Sequence, residues 1–269
     1  MTRLTKKALS EMLKNDYTML YRPMPEEVKA MFPVWTANDS NNYKGLHFTV
    51  NHTGKMSGLA SLSTTCKCGI CPTRIEKALA GYGSKAELKK AVKATPLSKD
   101  FMICGFCFSD SQQNYQKDMT PTLVRNYEIL NNGLVHSDWF PVLNSRFFRG
   151  ESFGDFASVN AVLNFVTFAK KNPETTFTVW TKNPAFFYLA FKQVEKPENM
   201  IIVLSSVYVN KVAEVPERFR KFVDKVFTVH TKQSAKAENV TINCGARSCL
   251  SCLNCYRKDG PKEVHELLK

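Results

Sequence analysis

Strand-like and helix-like segments alternate along the second half of this chain, and the alternation limits the folds that the chain can adopt. Short apolar runs typical of buried strands are separated by longer segments with apolar residues at helical spacing. The predicted strands are 145–149, 177–181, 200–205 and 226–231, and the predicted helices between them are 158–171, 184–194 and 216–224. This pattern is typical of parallel βα units, which form an open doubly wound sheet or a complete or partial barrel. In these folds the loops after the strands carry the chemistry.

The first half of the chain is less regular. A strand is predicted at 46–50 and a helix at 121–131, whereas residues 1–42 look helical or irregular and are broken by Pro23, Pro25 and Pro33. We therefore divide the chain into an N-terminal lead-in at 1–45, an α/β core at 46–243 and a cysteine-rich segment at 244–269.

Four cysteines crowd into the C-terminal segment. They follow the spacing C-x4-C-x2-C-x2-C and are Cys244, Cys249, Cys252 and Cys255. Small and polar spacers let these thiols converge on one centre without help from distant residues. Three cysteines at successive x2 intervals resemble ferredoxin-type ligation more than a zinc ribbon, so we favour an iron–sulfur cluster over zinc.

A second set of cysteines precedes the regular part of the chain. Cys66, Cys68 and Cys71 lie within six residues, and Cys104 and Cys107 follow as a C-x2-C pair. The C-x2-C spacing serves zinc knuckles, redox pairs and clusters alike. Two cysteine groups, one at each end of the βα array, can support two metal centres.

Composition and the N-terminal residues indicate the compartment and the partners to expect. The N-terminal residues lack the apolar core of a secretion signal, so we expect a reducing cytoplasmic compartment in which cysteines act as ligands or free thiols. No apolar run is long enough to span a bilayer, so no membrane partner is expected. A formal charge of +13 favours an anionic partner such as nucleic acid, but the basic residues are dispersed and a solvated basic surface explains them equally well.

Two resemblances extend this interpretation. Cys104-Gly-Phe-Cys107 resembles the second half of the radical S-adenosylmethionine motif C-x3-C-x-aromatic-C. The order of several motifs resembles the phage gene-product-88 family over residues 57–256; these motifs are Cys71-Pro72, Cys107-Phe108-Ser109, Asn126, Phe148-Arg149, Gly154-Asp155-Phe156, Thr181-Lys182-Asn183 and Cys249-x2-Cys252-x2-Cys255-Tyr256. The resemblance implies a partial (β/α) barrel of radical S-adenosylmethionine type in a phage-encoded protein of the host cytoplasm.

The radical S-adenosylmethionine resemblance also implies a site. Cys71, Cys104 and Cys107 would hold a [4Fe-4S] cluster with one open iron for S-adenosylmethionine, and the C-terminal cysteines would hold an auxiliary cluster. Asp100 stands where radical enzymes have their first cysteine. The third ligand must then come from Cys66, Cys68 or Cys71, and we choose Cys71 because Pro72 matches the family.

Three residues at predicted strand ends are candidates for binding S-adenosylmethionine or an unknown substrate. By the same resemblance, Glu151 or Asp155 accepts hydrogen bonds from the ammonium of S-adenosylmethionine; alternatively, Asp155 caps the next helix. Lys182 either contacts a carboxylate or phosphate or is an exposed lysine. His230 is expected to be a core histidine, and His52 is a candidate contact by position alone.

Two other functions stay open. A non-enzymatic module can use zinc or a structural cluster to staple the sheet and a basic surface to bind nucleic acid. Alternatively, only the C-terminal cysteines bind metal, and the other five are structural thiols or a redox pair.

Overall fold

A computed structural model describes residues 41–43, 45–50, 54–116, 119–245 and 248–269. Its strands are β1 (Asn41–Tyr43), β2 (Leu46–Val50), β3 (Ala60–Leu62), β4 (Phe147–Gly150), β5 (Thr176–Thr181), β6 (Met200–Ser205), β7 (Lys225–His230) and β8 (Glu263–Leu267). Its α-helices are α1 (Cys71–Leu79), α2 (Lys85–Ala94), α3 (Phe108–Tyr115), α4 (Met119–Asn132), α5 (Val159–Lys171), α6 (Pro184–Ala190), α7 (Glu217–Arg220), α8 (Lys232–Ala237) and α9 (Cys249–Cys252). Short 3₁₀ helices occupy Ile103–Phe106 and Ser137–Trp139.

All eight strands form one sheet in which neighbours in space are neighbours in the chain. The first three strands pair antiparallel, and β3 through β8 are parallel. A doubly wound sheet requires a reversal of strand order, which the described strands lack, so that alternative is wrong. The first and last described strands do not pair, so the sheet is open and a complete barrel is wrong as well.

The main core lies between one face of this sheet and the helices. Ser158 caps α5 by accepting a hydrogen bond from the Ala161 amide, and the helix then buries most of its length. Phe168 of α5 packs edge-on against Phe148 of β4 and Phe177 of β5, with ring centroids 5.1 and 4.9 Å apart. Aromatic packing of this kind fixes the helical layer on one side of the sheet.

The opposite face of the sheet is covered by a smaller apolar cluster. Trp180, Ile201 and Val203 project from β5 and β6 toward Tyr256 and Leu59. The Tyr256 ring lies 5.6 Å from the ring of Trp180. The cysteine-rich C-terminal segment therefore packs on the face that the helices leave open.

The structure refines several predicted elements. The helix predicted at 216–224 is the single turn α7, and the helix predicted at 184–194 ends at Ala190. Strands β3 and β8 were not predicted. The proposed domain boundaries stay predictions, although the segment at 244–269 contributes β8 to the common sheet. Most of the predicted lead-in, together with His52, lies outside the described residues.

Candidate metal centres

The C-terminal ends of β3, β4 and β5 bring three loops to one edge of the sheet. Cys66 follows β3, Glu151 and Asp155 follow β4, and Lys182 follows β5. Because parallel strands end at the same edge, residues far apart in the chain meet there. The edge also receives α1 and the segment that leads into α3.

Four thiols interact at this edge, and we call Cys66, Cys71, Cys104 and Cys107 the N-terminal thiol group. Cys71 begins α1, Cys104 lies in a 3₁₀ turn, and Cys107 caps α3 by accepting a hydrogen bond from the Asp110 amide at 3.4 Å. Charges on Cys104 and Cys107 act on Cys71, and the charge on Cys107 acts on Cys66. The predicted trio is thus brought together, with Cys66 as a fourth member.

Burial raises the pKa of thiols in this group, whereas nearby positive charges lower it. Burial, with a contribution from Asp155, raises the pKa of Cys71 to about 12, and burial also raises the pKa of Cys104. The Lys182 ammonium opposes both changes. The interaction with Cys66 lowers the pKa of Cys107 and raises that of Cys66, so the pair favours a thiolate on Cys107.

Cys68 does not join this group. Burial and the charge of Glu128 raise its pKa, no thiol of the group is among the causes, and Cys68 shares with Cys71 an effect on Tyr127. Glu128 and Tyr127 both belong to α4. The backbone of Gly69 adopts φ +65°, and a Cβ there would lie 2.9 Å from the Cβ of Ala157. This tight turn separates Cys68 from the thiols on either side of it.

Asp155 organises the loops at the sheet edge. Its carboxylate pairs with the Arg74 guanidinium at 3.1 Å and accepts hydrogen bonds from the Thr181 hydroxyl at 2.7 Å and the Lys182 amide at 3.0 Å. Ser158, and not Asp155, caps α5, so the capping alternative is wrong. Asp155 ties together the loops after β4 and β5 and the helix α1.

Glu151 is buried in the same region in a left-handed conformation with φ 57°. Its carboxylate accepts hydrogen bonds from the Thr64 amide at 3.0 Å and from the Thr64 hydroxyl at 2.9 Å. Burial raises the pKa of Glu151 to about 7 against the effect of these bonds. Glu151 therefore links the loop after β4 to the chain just ahead of Cys66.

Lys182 lies beside the N-terminal thiol group. Its charge acts on Cys71, Cys104 and Cys107. Its ammonium makes no hydrogen bond with any residue of the described ranges, although its backbone carbonyl accepts one from Arg74 at 3.1 Å. Lys182 is thus a half-buried cation that faces thiols.

The four C-terminal cysteines form a second group, the C-terminal thiol group. Ser248 caps α9, and Leu253 ends that helix in a left-handed conformation, which turns the chain between Cys252 and Cys255. Charges on Cys244, Cys249 and Cys252 all act on Cys255, and burial raises the pKa of Cys255 to about 12. These four thiols thus interact electrostatically, and their convergence on one metal centre stays a prediction.

Two cations from the sheet face approach the C-terminal thiol group. The Lys55 ammonium donates hydrogen bonds to the Cys244 thiol at 3.0 Å and to Glu266 at 2.9 Å. The Arg149 guanidinium stacks 3.9 Å over the Trp180 ring and acts on Cys249 and Cys255. These cations favour the ionised form of the thiols that metals require.

Two buried polar atoms beside the C-terminal thiol group lack a well-formed hydrogen bond. They are Nε of Arg149 and the hydroxyl of Tyr256. Buried donors without a partner are rare in folded proteins, because each loses its bonds to water. Charges on Cys249 and Cys255 act on the Tyr256 hydroxyl, and the charge on Arg149 acts on Cys249.

A family model described as Gene product 88 matches residues 26–266. The chain belongs to this family. The match confirms the gene-product-88 resemblance and extends it beyond the residues 57–256 that carry the motifs. No curated protein and no solved structure shows a significant match to this gene product 88 protein.

Within the described ranges, no group of three or more His, Cys, Asp or Glu side chains has the geometry to hold a metal ion. The thiols of each group act on one another without surrounding a common point at metal-ligand distance. The structure likewise contains, in the part of the chain that it describes, no helix long and apolar enough to cross a membrane.

Sequence reasoning missed several residues that surround the thiols of the gene product 88 protein. Arg74 lies three residues after Cys71, one helical turn away, so its proximity was readable from the spacing. Arg149 was noted as a family motif but not as a neighbour of cysteines. Nothing in the sequence linked Lys55 to Cys244, because 189 positions separate them.

Proposed function

We propose that this gene product 88 protein binds two iron–sulfur clusters and is an enzyme of the radical S-adenosylmethionine type. The observation that carries the proposal is the grouping of eight of its nine cysteines into two sets of four on one open parallel sheet. Six parallel strands in chain order correspond to the partial barrel that the resemblance implies. Iron–sulfur clusters are held by such sets of cysteine thiolates.

The spacing of the thiols supports a cluster over a single zinc ion. Ligands of a mononuclear zinc site all approach one ion at about 2.3 Å, whereas the ligands of a cluster each bind a different iron. The three C-terminal cysteines at successive x2 intervals resemble cluster ligation more than the paired knuckles of a zinc ribbon. The unpartnered Nε of Arg149 and the Lys55 ammonium suit the sulfur atoms of a cluster, which accept hydrogen bonds.

Cys71, Cys104 and Cys107 would hold the cluster that serves S-adenosylmethionine, and the C-terminal thiol group would hold the auxiliary cluster. When bound, a reduced cluster of this type supplies one electron to a sulfonium. The N-terminal thiol group lies at the sheet edge where ligands of parallel α/β proteins bind. That location matches a substrate-handling centre better than a structural staple.

The other candidate residues differ in what they can offer to a ligand. The Glu151 and Asp155 carboxylates already accept hydrogen bonds from protein groups, so we assign them to positioning the loops. The Lys182 ammonium is a half-buried cation next to the thiols. We propose that Lys182 binds the carboxylate of S-adenosylmethionine or a sulfur of the cluster.

The test is metal analysis of protein purified without oxygen. Two [4Fe-4S] clusters predict about eight irons and eight sulfides per chain, with an EPR signal after dithionite that changes on adding S-adenosylmethionine. The double variant Cys104→Ala/Cys107→Ala should retain about half of the iron. Cys68→Ala is the matched control and should retain all of it, because Cys68 faces α4. Unchanged iron in the double variant contradicts the assignment of the N-terminal group.

A second candidate function is a metal-stapled module that binds nucleic acid. A surface cavity is lined by Tyr188, Glu217, Arg218, Arg220 and Lys221, with Arg220 paired to Glu217, and the Lys192 ammonium lies 4.3 Å from the Tyr188 ring centroid. Cations beside a partly exposed aromatic ring suit single-stranded nucleic acid. Stoichiometric zinc without iron, together with salt-sensitive DNA or RNA binding that Arg218→Ala/Arg220→Ala weakens, would favour this function.

A further inference from the structure

Cys66 differs from every other cysteine of the chain in its burial. Only 1% of its surface is exposed, whereas the remaining eight cysteines are partly exposed. It lies four residues after β3, at the sheet edge where the N-terminal thiol group meets. Its sulfur lies against α3, the helix that Cys107 caps, because Gln113 of that helix donates a hydrogen bond to it.

A set of polar side chains holds the Cys66 sulfur. The Gln113 side-chain amide donates a hydrogen bond to it at 3.2 Å, and the same amide donates to the Ser109 hydroxyl at 2.8 Å. Gln113 is itself buried and is fixed by Thr65 and Ser109. A cysteine that merely fills space in a core has apolar neighbours. Donors directed at sulfur are the surroundings of a thiolate that binds metal.

The surroundings of Cys68 and Cys71 bear on which of the three cysteines Cys66, Cys68 and Cys71 are ligands. Cys68 faces α4, and Cys71 belongs to the N-terminal thiol group through its interactions with Cys104 and Cys107. Cys66 and Cys71 are thus both members, where one ligand was expected from this part of the chain. The group contains one thiol more than a site with an open iron needs.

We propose that Cys66 is the fourth thiolate ligand of the N-terminal centre and closes it against S-adenosylmethionine. The inference rests on the proposed function, because it assigns a ligand to the same cluster. A centre bound by four thiolates has no free coordination position. S-adenosylmethionine would then bind only in molecules whose Cys66 is released, so Cys66 controls access to the site.

The experiment compares wild-type protein, Cys66→Ser and Cys68→Ser, all full-length and loaded with iron without oxygen. A cluster with three thiolates readily loses one iron to a mild oxidant, whereas a cluster with four does not. After ferricyanide treatment, Cys66→Ser should show up to about one [3Fe-4S] EPR signal per chain, and the wild type and Cys68→Ser almost none. The change in the EPR spectrum on adding S-adenosylmethionine should also be larger in Cys66→Ser.

A second variant tests the same inference without replacing Cys66, in case Cys66→Ser fails to fold. Gln113→Leu keeps the thiol and removes its amide donor, and it should give a [3Fe-4S] signal between those of the wild type and Cys66→Ser. Equal signals in wild type and Cys66→Ser overturn the inference while leaving the iron centre intact. Full iron in Cys71→Ser and in Cys104→Ala/Cys107→Ala instead overturns the centre itself, and with it both proposals.

Discussion

The buried carboxyl group of Glu151 makes the stability of the protein depend on pH in a calculable way. Burial raises its pKa from an ordinary value of 4.5 to about 7, and the side chain has no contact with solvent that would screen this effect. Below about pH 4.5 the carboxyl is protonated in both the folded and the unfolded chain. As the pH rises toward 7, the unfolded chain releases its proton first, so the folded state loses stability. At about 1.4 kcal/mol for each tenfold change in proton affinity, the loss is about 3 kcal/mol.

Glu151→Gln removes this titration and preserves the shape of the side chain. Its amide oxygen can still accept the hydrogen bond from the Thr64 amide. We expect the wild type to lose about 3 kcal/mol relative to Glu151→Gln between pH 4.5 and 7, and nothing further above that range. Urea unfolding across pH 4–8.5, with metal content matched, measures the difference. Exposed Glu174→Gln is the control for loss of a carboxylate.

A difference between wild type and Glu151→Gln that does not vary with pH would refute the reasoning. It would mean that the pKa of Glu151 is the same in the folded and the unfolded chain, with the Thr64 hydrogen bonds cancelling the effect of burial. A difference that grows in the opposite direction would indicate a pKa below the ordinary value.

Two further variants test the sheet edge and the C-terminal thiol group. A Cβ on Gly154 would lie 2.2 Å from Oγ1 and 2.9 Å from the backbone carbonyl carbon of Thr64. Gly154→Ala should therefore lower the free energy of unfolding, measured in urea, by about 2 kcal/mol or more. In the control Gly133→Ala the new Cβ meets nothing within 4 Å, so the free energy of unfolding should change by less than about 1 kcal/mol. Arg149→Met removes the cation beside Cys249 and Cys255, so a redox titration should show one of the two clusters with a lower reduction potential, and an unchanged titration would contradict the contact.

The sequence predicted the central part of the fold well, because β6 is almost continuously apolar and β5 consists of β-branched and aromatic residues. The strand predicted at 200–205 coincides with Met200–Ser205, and the helix predicted at 158–171 is α5 with its cap. Strand β3 was missed because it has only three residues. Strand β8 was missed because an edge strand with two glutamates and a histidine lacks an apolar pattern.

The candidate site was predictable where its members are close in sequence and not elsewhere. The four C-terminal cysteines interact electrostatically, as expected of thiols within twelve residues of chain. The choice among Cys66, Cys68 and Cys71 depended on the left-handed turn at Gly69 and on the packing of α4, which spacing does not encode. His230 was predicted as a core histidine, and it is fully buried beside His265 at 3.1 Å.

The location of the cations changes how the charge of the protein is interpreted. Lys55 and Arg149 face the C-terminal thiols, and Arg74 and Lys182 face the N-terminal group. A [4Fe-4S]²⁺ cluster with four thiolates carries a net charge of about −2, so two such centres would offset about four of the thirteen excess positive charges. With the proposed clusters bound, part of the basic composition that suggested nucleic acid would therefore have a partner inside the molecule. This internal use of charge favours the iron–sulfur enzyme over the nucleic-acid module, because the module does not require cations directed at buried thiols.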